Sequence, residues 1–180
     1  IVISAAGNLE HERILELIGP SFEAIQNSGS LLDRTKPRIR PSIKIHRRDL
    51  EQAHICLSTM GTAISDPRRF AFSLMNTLLG GNMSSRLFQE IREKRGLAYS
   101  VYSFISSHVD SGMFGVYCGV DPKNTRQAIK LIHQALQTIC QNKITRDELF
   151  DAKEYTKGNL FLASESADNQ MVRLAQNEIY

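Results

Sequence analysis

The chain has no tryptophan, and only 7% of its residues are aromatic. It also lacks any apolar run approaching the ~20 residues of a membrane span, so no membrane association is expected. A basic start followed by an apolar stretch is missing, so no signal peptide is visible. There is no initiator methionine, and the chain opens directly on an apolar strand pattern, Ile1 to Ser4. It therefore reads as a fragment or a processed product. Cysteine is scarce. Cys56, Cys118 and Cys140 cannot all pair, and no Cys-x-x-Cys occurs. Buried thiols in a soluble, reducing, cytoplasmic setting are expected.

Net charge is only +3. The basic residues Arg34, Lys36, Arg38, Arg40, Lys44, Arg47 and Arg48 cluster, but without interleaved aromatics or a binding motif. They read as a solvated linker, with no nucleic-acid partner. Gly80-Gly81 is not followed in register by the Lys and Ser or Thr of a phosphate loop, so it reads as a helix stop.

With 42% hydrophobic residues in 180, the chain can bury a core as one medium domain, or one domain plus a piece of another. Ile1–Ser4, Ile43–Arg47 and Ala53–Thr59 read as strands. Asn8 is a candidate cap for a helix through about Ile18, with Ile14, Leu17 and Ile18 as its stripe. Asn27–Ser42, rich in Ser, Gly, Pro and basic residues, reads as a linker. Asp66-Pro67 opens a helix ending at Gly80, with Phe70, Leu74, Met75 and Leu78 buried. A second helix covers Ser85–Lys94, with Leu87, Phe88 and Ile91 inward. Ala98–Ile105 and Met113–Val120 form a hairpin around Asp110-Ser111-Gly112. Asp121-Pro122 opens a helix with the stripe Ile129, Ile132, Leu136 and Ile139. Thr145 and Glu148 form a capping box for the next helix, which Gly158 weakens. A last helix spans about Ala167–Ile179, with Met171, Leu174 and Ile179 inward. The order predicts an α+β domain, an antiparallel sheet with helices packed on one face.

The segment Gly80–Val101 is the most informative. It places Arg92 in the last turn of a helix and Tyr99 at the start of a strand, with Gly96 as the hinge. A cation and a phenol on one rim suit a peptide carbonyl or carboxylate. On spacing alone, Arg92 is equally a surface cation at a helix end, and Tyr99 an aromatic packed on the sheet.

That segment resembles the second-domain signature of the pitrilysin and mitochondrial processing peptidase family of zinc proteases (inverzincins), with the bacterial branch nearest. Ile1–Asn8, Asp66-Pro67, Tyr117–Val120 and Glu165–Asp168 also fall where the family has comparable stretches. The resemblance implies a processing-peptidase-like metallohydrolase domain. Residues 1–26 would end the preceding, zinc-bearing domain, 27–42 would be a linker, and 43–180 the second, non-metal domain. Tyr99 would donate its hydroxyl to the scissile carbonyl as an oxyanion group, and Arg92 would hold the substrate backbone. The parent would be a zinc metalloendopeptidase acting on unfolded peptides or presequences, as a homodimer or heterodimer.

The family takes its zinc from a His-x-x-Glu-His helix and a downstream Glu in the first domain. This chain has no such motif. His11, His46, His54, His108 and His133 are scattered. His54 and Cys56 share a strand face, as a zinc pair or as a histidine beside a packed thiol. Zinc is thus expected outside this chain, with no metal site within it and the isolated piece inactive. Rival readings are a non-catalytic binding or structural subunit of the same family, and an unrelated α+β binding domain. An extended peptide adding to a sheet edge near Ala98–Ile105 is a further possibility that sequence alone leaves open.

Overall fold

A computed structural model describes residues 1–25 and 35–180. Half of the linker expected over 27–42, residues 27–34, lies outside the described residues. The chain forms two compact units, residues 36–158 and residues 1–35 with 159–180.

The larger unit is built on β1 (Ala53–Met60), β2 (Ala98–Ser107) and β3 (Gly112–Val120), antiparallel in the order β1-β3-β2. Alternation sorts their side chains. Ile55, Val101, Phe114, Val116, Cys118 and Val120 turn to the core face. Leu79, Leu87, Ile91, Ala128 and Ile132 from the helical segments pack on that face, each with 0% exposure. Burying one such aliphatic side chain stabilises by about 1.5–3 kcal/mol. This is the expected α+β arrangement, with the helices on one face.

Helix α2 (Arg69–Leu79) starts two residues after Pro67, because the Asp66 carboxylate accepts the Arg68 amide at 2.9 Å and sets the first turn. It ends at Gly80, as expected. Gly80 is needed for close approach: a Cβ there would lie 2.5 Å from the Ser103 nitrogen, and Ser103 N–H donates to Gly80 O at 3.1 Å. That bond covers part of the β2 edge. Phe70 is not buried as expected; it is 66% exposed beneath the Arg69 guanidinium. Leu79 is the fully buried residue of the helix.

Asp121 caps a short 3₁₀ turn, Pro122–Asn124, that leads into α3 (Thr125–Gln141). The inward stripe is Ala128, Leu131 and Ile132, with Leu136 and Ile139 beside it; Ile129 is 40% exposed. Thr145 and Glu148 close the expected capping box, the Glu148 amide donating to Thr145 Oγ1 at 3.1 Å and the Thr145 amide to Glu148 Oε2 at 3.0 Å. Helix α4 (Arg146–Glu165) runs unbroken through Gly158.

Ile43–Arg47 is not a strand. No pairing partner faces it among the described residues, and Ile43 and Ile45 are 92% and 79% exposed. Ile1–Ser4 likewise joins no described sheet; Ser4 Oγ instead donates to Met171 O at 2.7 Å. Helix α1 (His11–Phe22) is preceded by Glu10 rather than capped by Asn8, and it continues through Pro20. Helix α5 (Ala167–Ile179) is capped by the Ser166 hydroxyl. Leu174 and Ile179, expected inward, are 54% and 56% exposed.

Candidate functional site

The segment between α2 and β2 departs from regular structure twice. Phe88–Glu93 is a π-helix, not the α-helix expected over Ser85–Lys94. Its register is shown by the Lys94 amide, which donates to Gln89 O, five residues back, at 2.9 Å. Such one-turn π segments are often found at functional sites. Leu87 and Ile91 still point inward. The Gly96 amide then donates to Arg92 O at 2.9 Å, and the Leu97 amide to Ile91 O at 3.0 Å. Gly96 takes φ +58°, the left-handed conformation that makes glycine the residue of choice there.

The second departure is a β-bulge. Ala98 pairs with Val120 and Ser100 with Gly119, so Tyr99 is the extra residue between two adjacent rungs. A bulge re-aims a side chain out of the strict alternation. Tyr99 is accordingly 78% exposed, while Ala98 before it is buried. Within this segment the ring is therefore not packed on the sheet.

Arg92 is exposed as well. The other two cations of this turn, Lys94 and Arg95, both pair with Glu90. The Arg95 hydrogen bond, first, holds the Glu90 carboxyl below its usual range. Arg92 takes a different contact, its guanidinium lying 4.9 Å from the Phe88 ring centroid. Among the described residues it joins no ion pair, so its donor fork remains free for a ligand. Arg92 and Tyr99 thus stand exposed at either end of one glycine turn.

Comparison with known proteins decides what this segment belongs to. Residues 1–155 match the model of the peptidase M16 inactive domain. The chain belongs to the peptidase M16 family. It is 37% identical to an uncharacterized zinc protease of Streptomyces coelicolor, over 99% of this chain and 41% of that protein. It is 38% identical to an uncharacterized zinc protease of Bacillus subtilis, over 99% of this chain and 44% of that protein. The crystal structure of a conserved protein from Enterococcus faecalis superposes with a TM-score of 0.76 at 27% identity, covering 96% of this chain and 41% of that one. The chain therefore spans less than half the length of these relatives. It corresponds to the M16 inactive domain, and its fold is that of this domain.

The described residues of this M16 segment do not fit a zinc site. Among the described residues, no three His, Cys, Asp or Glu side chains gather as a metal cluster. His54 and Cys56 share the open face of β1, but His54 Nδ1 lies 2.7 Å from the Tyr117 hydroxyl in a hydrogen bond. Cys118, on the core face, is unsuited to ligation because burial pushes its thiol up to about 11.

Sequence reasoning singled out Arg92 and Tyr99 but missed what surrounds His54. The open face carries His54, Gly119 and Ser100 in one row and Cys56, Tyr117 and Tyr102 in the next. The Tyr102 and Tyr117 rings stack at 5.0 Å. The period-two runs Gly115–Tyr117–Gly119 and Ser100–Tyr102–Phe104 were the available signal.

Proposed function

We propose that the parent protein is a zinc metalloendopeptidase and that this segment supplies Tyr99 and Arg92 to peptide substrates. The observation that carries the reading is the pairing of a bulge and a glycine turn that leaves both side chains exposed, with Arg92 outside the ion pairs of its turn. Tyr99 donates its hydroxyl to the scissile carbonyl as negative charge develops on oxygen. A donor oriented toward a developing oxyanion contributes about a hundredfold or more to rate. Arg92 holds a backbone carbonyl or a carboxylate of the peptide through its planar fork.

Zinc belongs to residues outside this segment. In this reading residues 1–26 end the zinc-bearing domain and residues 43–180 belong to the facing one. The zinc-bearing surface comes from the same parent chain or from a partner chain in a homodimer or heterodimer. The substrate is an unfolded peptide that fits between the two.

Tyr99→Phe in the intact parent tests this. Turnover should fall by about a hundredfold, with thermal stability unchanged because the ring is exposed. Unchanged turnover removes Tyr99 from the chemistry. Arg92→Ala should act mainly on KM, through lost substrate positioning.

A further inference from the structure

We propose that the open sheet face next to Tyr99 carries a side-chain subsite, formed by His54, Tyr102 and Tyr117, that favours an aromatic residue of the peptide close to the scissile bond. This rests on the reading of Tyr99 as a substrate-facing group.

Three observations support it. The first is placement. Tyr102 follows Tyr99 by three residues on β2, just past the bulge, and so lies at most about 10 Å from it along the strand. An extended peptide that presents a carbonyl to Tyr99 therefore carries a side chain over Tyr102 within two or three residues. The second is construction. Tyr117 sits on the central strand with Gly115 and Gly119 as its neighbours on the same face. The Phe104 ring lies over Gly115, where an added Cβ would be 2.3 Å from its Cζ. At Gly119 the covering groups are polar: an added Cβ would lie 3.0 Å from Gln52 Oε1 and 3.3 Å from the Tyr117 hydroxyl. The Tyr117 hydroxyl is held by His54 at 2.7 Å, so the ring stack is fixed before any ligand arrives. The third is exposure. Tyr102 is 46% exposed, and His54 is exposed too. A stack that served only the core would lie on the opposite face, where the helices are.

The chemistry selects the occupant. Ring edges and faces at 5.0 Å spacing accept a further aromatic ring in an edge-to-face or offset arrangement. The side chains that strand pairing places in the patch, His54, Tyr102 and Tyr117, join no ion pair among the described residues, so the surface they present is aromatic.

The test uses the intact parent and one peptide series that differs only within two positions of the cleaved bond, with Phe, Ala, Glu or Lys. The wild type should show a kcat/KM about tenfold higher for Phe than for Ala at one of these positions. Tyr102→Ala and His54→Ala should abolish that preference, bringing kcat/KM for the Phe peptide down to that for the Ala peptide. Tyr102→Phe should retain it, and Tyr102→Thr, which keeps strand propensity, serves as the second variant where Tyr102→Ala does not fold. Equal losses on all peptides, no loss on any, or a wild-type preference for Glu or Lys would overturn the subsite. Tyr99→Phe separates the two claims, because it should lower all peptides alike. If it lowers none, the catalytic reading fails, whatever the Tyr102 variants do.

Discussion

Strand β3 carries two faces that differ in kind. On one, Phe114, Val116, Cys118 and Val120 are each at most 4% exposed and pack beneath the helices. On the other, Met113, Gly115, Tyr117 and Gly119 alternate a side chain with an absence of one. The core face is filled to keep water out. The open face is spaced, so that the Phe104 ring can lie over Gly115 and the Gln52 and Tyr117 polar groups over Gly119. Cysteine marks the difference. Cys118 is buried with its thiol pushed up to about 11 by desolvation, whereas Cys56, one row away on the open face, is exposed. In the proposed reading the two faces divide the work, stability on one and recognition on the other.

The comparison breaks most completely if the core face is opened. Ile91 has 0% exposure and lies in the π-helical turn that carries Arg92. Ile91→Ala should cost about 2–5 kcal/mol, through lost transfer energy and the cavity left behind. Urea unfolding would measure it. A cost below about 1 kcal/mol would mean that the turn is not anchored through Ile91. Thiol labelling sharpens the same contrast. At pH 8 Cys56 and Cys140 should react at least about a hundredfold faster than Cys118, which must wait for opening of the fold. Equal rates would show that the core face is open on that timescale.

Much of this was legible in the sequence, and the failures share a cause. Strict alternation identified β1, β2 and β3, and the Asp-Pro pairs and Thr145–Glu148 marked helix starts, because each is a local signal. Ile43–Arg47 alternates as well as β1 does. A strand also needs a neighbour, and alternation says nothing about one. Phe70, Leu174 and Ile179 fit helical stripes, yet are exposed, because a stripe does not reveal where the packing surface ends. At the site, Arg92, Gly96 and Tyr99 could be found from residue type and spacing. The π-turn and the bulge could not: the first is a shift of hydrogen-bond register inside the helical turn, and the second depends on how Ala98 and Ser100 pair across the sheet. The His54–Tyr117 bond, between residues 63 apart in sequence, was hidden for the same reason.

Between the two faces lies the Gly96 turn, and its expected effect is smaller. Nothing lies within 4 Å of a Cβ built at Gly96, so Gly96→Ala tests backbone conformation alone. At φ +58° the alanine should cost about 1–2 kcal/mol. It should also move Arg92 relative to Tyr99, and activity in the parent should fall more than stability does. A loss of stability without any loss of activity would show that the turn merely ends the helix.

The smallest effect concerns the joint between the site segment and α4. Arg86 Nη2 pairs with Glu148 Oε1 at 2.7 Å, the two side chains being 25% and 36% exposed. Glu148 thereby closes the capping box and anchors the segment just before the π-turn. Its carboxyl is held below the ordinary 4.5, first by the Thr145 backbone amide and then by Arg86. A depressed folded value means that the ionised form is the stabilising one. The contribution is therefore fully present above pH 4.5 and is lost as the pH falls through the folded value. Glu148→Gln should remove about 0.5–1 kcal/mol at pH 7, the size of a partly exposed ion pair, because glutamine still accepts the Thr145 amide. The difference between wild type and variant should shrink toward zero as the pH is lowered well below 4.5. A difference that stays constant with pH would assign the loss to geometry rather than to charge, and the joint would then be a matter of packing alone.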